Sequence, residues 1–168
     1  VGAESSMLAD QLSARPPGRR VDVAVIVVGG NDVTHRVRVA DSVQCLVDAV
    51  GALRAEGAGV VMGTCPDLGT LRPVPQPLRS LGSRASKQLA DAQREAVIAA
   101  GGHAVELATV VGPFFIAQPD QMFSLDNFHP SAAGYRRTAK ALLPSVLAAL
   151  GHTEEVPFGH HLPEVSPG

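Results

Sequence analysis

The 168-residue chain is long enough for one globular unit with a sizeable apolar core. Its net charge is −2 and its pI is near 6.3; the basic residues are scattered apart from Arg19-Arg20 and Arg136-Arg137, leaving no basic stripe to follow a phosphate backbone, so nucleic acid is not an expected partner. No apolar run reaches the roughly 18 residues that a membrane-spanning helix needs, and Cys45 and Cys65 lack metal-ligand spacing and read as free thiols.

From Val23 to Val28 the chain is continuously apolar and largely β-branched, then stops at Gly29-Gly30. That pattern predicts a strand buried on both faces of a parallel sheet, with Gly30-Asn31-Asp32 at its carboxyl end. Val39, Val43, Leu46, Val47, Val50 and Leu53 recur three and four residues apart as far as Gly57, the pattern of an amphipathic helix with a glycine stop. Gly59-Val60-Val61-Met62-Gly63 predicts a second short buried strand. Thr64 to Ser83 carries Pro66, Pro73, Pro75 and Pro77 without any clear period, and is expected to be a long loop serving a site.

Arg84 to Ala100 is rich in helix formers and ends at Gly101-Gly102, after which His103 to Leu107 makes a third, weaker strand. A last helix is expected from about Ser131 to Leu150, kinked or shortened by Pro144. The segment from Gly151 onward is rich in proline, histidine and acid, with little to bury. It is expected to be a flexible tail spanning 151–168, which leaves 1–150 as the domain. Strands thus alternate with helices, the pattern of an open α/β sheet, in which ligands bind outside the carboxyl ends of the strands.

Two short motifs fall where such a site would lie. Asp126-Asn127-Phe128-His129 precedes the last helix, and the spacing of three lets the carboxylate fold back to meet the imidazole. A carboxylate on one ring nitrogen fixes the tautomer and leaves the other nitrogen free to take a proton from a hydroxyl. Taken alone, Asp126 equally suits a helix or turn cap, with His129 an ordinary exposed residue. Gly29-Gly30-Asn31-Asp32 places a neutral side-chain amide at a strand end, a donor suited to an oxyanion, although such a tetrapeptide is by itself more often a turn.

Together, in this order, these motifs resemble the SGNH hydrolase family, whose sequence blocks contain Gly-x-Asn-Asp after the third strand and Asp-x-x-His before the last helix. The likeness extends from Val23 through His35, over Gly63-Thr64-Cys65-Pro66-Asp67-Leu68-Gly69, and from Phe128 to Tyr135. The resemblance implies a flavodoxin-like three-layer α/β/α fold with a parallel sheet of order 2-1-3-4-5. It implies a serine esterase acting on small-molecule or lipid esters without metal or organic cofactor, with Asp126 as triad acid, His129 as general base and Asn31 as an oxyanion donor. Val1-Gly2-Ala3-Glu4-Ser5-Ser6 is similar to the family's second block, making Gly2 the second oxyanion donor. Thr34 and His35, which follow Asn31, are candidates to line the substrate pocket, with an ordinary loop role as the alternative.

The family's nucleophile stands in Gly-Asp-Ser, which occurs nowhere in these 168 residues. Ser5 lies only 26 residues before Asn31, too close for the two crossovers and intervening strand that separate the family's first and third strands. Strands 1 and 2 and the nucleophile are therefore expected on a preceding segment, which leaves this chain inactive alone. The competing reading is a catalytically inactive α/β binding or assembly module. A nucleotide-binding flavodoxin-like domain ranks behind both, because no Gly-x-Gly-x-x-Gly phosphate loop is present.

Overall fold

A computed structural model describes residues 2–164; Val1 and residues 165–168 of the expected tail lie outside the described residues. The chain runs through helix α1 (Leu8–Ser13), strand β1 (Val23–Val27), the short helix α2 (Gly30–Thr34), helix α3 (Val39–Ala55), strand β2 (Gly59–Gly63), helix α4 (Leu78–Ala99) and strand β3 (His103–Val105). Three short helices follow, α5 (Leu107–Val110), α6 (Gly112–Ala117) and α7 (Pro119–Met122), then α8 (Ala132–Ala149) and a two-residue strand β4 (His160–His161).

The sheet order is β1-β2-β3-β4. β1, β2 and β3 are mutually parallel, with Val23 opposite Gly59 and Val61 opposite His103. Helices cover both faces, as the crossovers of a parallel sheet require. On one face Ile26, Val28, Val60 and Met62 pack with Leu46, Val50 and Leu53 of α3 and Val97 of α4. On the other, Val61 and Val105 pack with Leu107, Phe115, Met122 and Leu142. All five residues of β2 are buried, which makes this strand the spine of the molecule; each fully buried valine contributes about 1.5–3 kcal/mol.

Several expectations are corrected. β1 is not buried on both faces: Val25 and Val27 are each 48 % exposed while Ile26 and Val28 are buried. The reason is tertiary, because β1 lies at the edge of the sheet and the second core reaches only as far as Val23. α4 starts at Leu78, six residues before the expected Arg84, directly after Pro77. Proline is tolerated at a helix start, so the last proline of the loop opens the helix instead of excluding it. α8 continues through Pro144 to Ala149, so the proline does not end it.

The wholly parallel sheet is corrected at its far edge. Within the expected tail, residues 160–161 return to the molecule as β4, which pairs antiparallel with β3, Ala104 opposite His161 and Val105 opposite His160. The backbone N–H of Glu106 donates to Gly159 O at 2.8 Å, and that of Glu164 donates to Ile98 O at 3.1 Å. His161 Nε2 donates to Glu106 Oε2 at 2.9 Å, and Arg94 Nη1 donates to Glu106 Oε1 at 2.9 Å. His160 Nε2 donates to Ala141 O at 2.7 Å. The polar composition that suggested solvation in fact supplies these contacts.

Glu106 makes the docking pH-dependent. Burial acts to raise its pKa, but the hydrogen bonds from His161 and Arg94 outweigh burial and leave it lowered. A carboxyl lowered in the folded state contributes stability that is fully present above its unfolded value, about 4.3, and is lost as pH falls through the folded value. Amide exchange at residues 159–164 is therefore expected to be slow near neutrality and to accelerate, beyond its intrinsic pH trend, only below about pH 4. Glu106→Gln should show the faster exchange already at neutral pH, and unchanged protection in that variant would refute the clamp.

Candidate active site

The Gly29-Gly30-Asn31-Asp32 turn is built where β1 ends. Gly29 has φ of +134°, and a Cβ there would sit 3.0 Å from both Cys65 Cβ and Gln93 Nε2, so only glycine fits. Gln93, 1 % exposed on α4, braces this point. Its Nε2 donates to Val28 O at 3.0 Å and its Oε1 accepts from Cys65 N at 2.7 Å, joining the ends of β1 and β2. Burial pushes the Cys65 thiol up to about 12, so it is an inert part of the wall.

The next residues bind the N-terminal arm. Asn31 Nδ2 donates to Ala3 O at 3.0 Å, which sets Gly2-Ala3 beside the amide. An asparagine amide has two hydrogens, so one remains for another acceptor. Asp32 is 1 % exposed, and its carboxylate accepts from Ser5 N, at 3.2 and 3.1 Å to its two oxygens, and from Ser42 Oγ at 2.7 Å. His35 Nδ1 bonds Glu4 Oε1. Three successive arm residues are thereby fixed to α2 and the residue after it.

Asn31 thus meets the arm at Ala3, the residue after Gly2, while Thr34 and His35 each bond within the protein. Thr34 Oγ1 donates to Asn31 O at 3.0 Å, and exposed His35 holds Glu4. Ser5 is 1 % exposed and opens a 3-10 turn, Ser5–Met7, instead of following a strand. That placement does not suit a nucleophile.

The acid–histidine turn is local. Asp126 Oδ1 accepts from Ser124 Oγ at 2.7 Å and from the backbone N–H groups of Phe128 and His129, each at 2.9 Å. Its second oxygen, Oδ2, accepts from His129 Nδ1 at 2.6 Å. Asn127 takes φ of +53° to close the turn, a conformation asparagine tolerates. The hydrogen bond from His129, then those from Ser124 and the two backbone N–H groups, hold the Asp126 carboxyl well below the usual carboxylate range. Phe128 packs edge-on against the imidazole, ring centres 5.0 Å apart.

α8 sets the position of this turn. Ser131 caps it, accepting from Gly134 N at 3.1 Å. A Cβ on Gly134 would lie 2.3 Å from Met122 O, so glycine permits α8 to press against α7. At the far end, Ala149 O would lie 3.0 Å from a Cβ on Gly59, which places the end of α8 at the amino end of β2. Eighteen helical residues rise about 27 Å, against roughly 17 Å for a five-residue strand. The start of α8, and His129 just before it, therefore lies beyond the carboxyl edge of the sheet, the same edge from which Asn31 projects.

Sequence reading did not find Gln93, Ser42 or the buried role of Asp32. Gln93 sits at an interior helix position where glutamine is usually solvated, and nothing local marks it as a brace. Among the described residues no group of three or more His, Cys, Asp or Glu side chains could hold a metal ion, and no helix is long and apolar enough to cross a membrane.

Residues 1–137 match the GDSL-like Lipase/Acylhydrolase family. The chain is 43 % identical over 164 residues to the GDSL-like esterase Rv1075c of Mycobacterium tuberculosis, covering 97 % of this chain and 52 % of that protein. It therefore spans about half the length of the curated relative it matches. Among solved structures it is similar to LAE5, an alpha/beta hydrolase enzyme from the metagenome of Lake Arreo, with TM-score 0.68 and 19 % identity, over 92 % of this chain and 71 % of that one. It is also similar to Axe2, an acetylxylan esterase from Geobacillus stearothermophilus, with TM-score 0.59 and 17 % identity, over 89 % and 68 % of the two chains. These two structures share its fold, an α/β sheet flanked by helices. The family match over most of its length, together with the Gly-x-Asn-Asp and Asp-x-x-His turns at one edge of the sheet, makes this chain a member of the GDSL-like lipase/acylhydrolase family.

Proposed function

We propose that this chain carries the acid, the base and the oxyanion donors of a serine esterase whose nucleophile stands on a segment preceding Val1. The observation that carries the reading is the Asp126–His129 pair, 2.6 Å apart, in a turn whose hydrogen bonds leave the carboxylate ionised and the imidazole Nε2 without a partner among the described residues. A carboxylate in this state orients the ring and stabilises the imidazolium that forms when Nε2 accepts a proton.

The reaction follows from those roles. The serine Oγ attacks the ester carbonyl carbon as its proton passes to His129 Nε2, and the carbonyl oxygen becomes an oxyanion facing Asn31 Nδ2 and the Gly2 N–H. The intermediate collapses, the C–O bond to the alcohol breaks, and His129 returns the proton to the leaving oxygen. Water then attacks the acyl-enzyme with His129 again as base, releasing the acid and restoring the serine. Each oxyanion donor is worth roughly 3–4 kcal/mol where charge develops. GDSL-like esterase Rv1075c and the acetylxylan esterase Axe2, by their names, cleave esters, which supports the reaction class.

The preceding segment also has a place to go. β1, β2 and β3 correspond to strands 3, 4 and 5 of the order 2-1-3-4-5, so strands 1 and 2 would add beside β1. A cavity of about 430 Å³ runs along that strand, lined by Ala24, Val25, Val27 and Val28 with Leu8 and Leu12 of α1. The half-exposed Val25 and Val27 also fit the alternative, a non-catalytic assembly module that pairs through this edge.

Two measurements separate these readings. In the complete protein His129→Ala should lower kcat on a short-chain aryl ester by several orders of magnitude, and Asn31→Ala should lower it roughly a hundredfold or more. Near-normal turnover in either would remove the assigned role. The 168-residue chain alone should show no serine-dependent hydrolysis, and stoichiometric labelling of it by a phosphonate serine probe would overturn the placement of the nucleophile.

A further inference from the structure

A second cavity, of about 410 Å³, opens between the loop that follows β2, the start of α4, and α6. Its floor and walls connect it to both halves of the site. On one side it is bounded by Gly69 and Thr70 of the turn Leu68–Thr70, and Leu68 of that turn lies 3.9 Å from where a Cβ on Gly30, the residue before Asn31, would stand. On the other it is bounded by Phe115 and Ile116 of α6. Phe115 packs edge-on against Phe123, ring centres 4.9 Å apart, and Phe123 pairs with Pro130, next to His129. The cavity therefore lies between the element that touches the Asn31 turn and the element that supports the histidine turn.

The charges lining it are unbalanced. Arg72 and Arg79 line it together with Asp67, the one carboxylate of the lining, and Asp67 already accepts from Gly69 N at 2.7 Å. Neither arginine enters an ion pair among the described residues, whereas Arg15, Arg38 and Arg94 each hold a carboxylate. Thr70, Ser80 and Ser83 add hydroxyl groups to the wall, and Ile116, 64 % exposed, adds an apolar flank. Thr70 Oγ1 donates to Asp67 O and Ser80 Oγ to Gln76 Oε1, which leaves Ser83 Oγ as the uncommitted hydroxyl of the wall among the described residues. Two guanidinium groups without a carboxylate partner, beside that hydroxyl and one apolar wall, suit a carboxylate carried on a short hydrocarbon body, since guanidinium groups bind carboxylates through charge-assisted hydrogen bonds.

Resting on the esterase reading above, we propose that this cavity selects anionic esters, with Arg72 and Arg79 binding a carboxylate of the substrate distant from the bond that breaks. The arginines act as specificity-determining residues and do not take part in the chemical step. Their contribution is electrostatic and falls with ionic strength.

The test uses the complete protein and two matched ester pairs. Phenyl acetate against 3-acetoxybenzoate places the carboxylate on the alcohol side, and phenyl valerate against phenyl hydrogen glutarate places it on the acyl side. In at least one pair the anionic ester should have kcat/KM about tenfold or more above its neutral partner, the size of one good charge-assisted bond. The preference should shrink in high salt and vanish in Arg72→Gln/Arg79→Gln, with turnover of the neutral esters preserved. Arg84→Gln, outside the lining, should keep the preference and so exclude a simple net-charge effect. Normal hydrolysis of the neutral esters with no anionic preference in either pair overturns the cavity assignment and leaves the esterase reading standing. No hydrolysis of any ester overturns both.

Discussion

The Asp32 carboxylate is the constraint on which the rest of the Asn31 turn depends. It is 1 % exposed and accepts from Ser5 N and Ser42 Oγ. A buried carboxylate without such donors would be costly, whereas one that accepts charge-assisted bonds ties together whatever supplies them. Here the donors come from the arm before α1 and from α3, and the acceptor comes from α2, the helix that also carries Asn31. Ser5 begins the helical run that continues into α1, so the negative charge also meets the positive end of that run. One side chain thus fixes the position of Asn31 relative to the arm that holds Gly2, while Gln93 fixes it relative to β2 from below.

The histidine side is held by a different kind of force. Asp126 gathers Ser124, Phe128 and His129 within a few residues of sequence, so the turn contains most of its own hydrogen bonds. What tertiary packing adds is placement. Phe115, Met122 and Phe123 form the floor, Gly134 lets α8 close on α7, and the length of α8 carries the turn past the edge of the sheet.

This division explains which parts could be read from residues alone. The Asp126–His129 contact is encoded by a spacing of three, and β2 and α3 by unmistakable periods, so local pattern sufficed for them. Val25 and Val27 misled because β-branched residues look the same whether a strand is central or at an edge. Leu78 to Ser83 looked like loop because Pro73, Pro75 and Pro77 dominate the window, although a proline at a helix start does no harm. Gln93, Ser42 and His161 act only through partners 10 to 65 residues distant in sequence, and no local signal distinguishes them from solvated polar residues.

The two halves of the site should therefore respond differently to disturbance. Loosening the arm releases Ala3 from Asn31 and Ser5 from Asp32, and with them the placement of the arm against the Asn31 amide. Among the described residues the Asp126–His129 pair shares no hydrogen bond with that arm, so its geometry would persist. The groove along β1, lined by Leu8, Leu12 and Val25, runs beside the same arm and includes Ala3. Whatever packs along β1 therefore bears on the Asn31 turn through that arm, while the Asp126–His129 turn is held by its own hydrogen bonds and by the packing of α7 against α8.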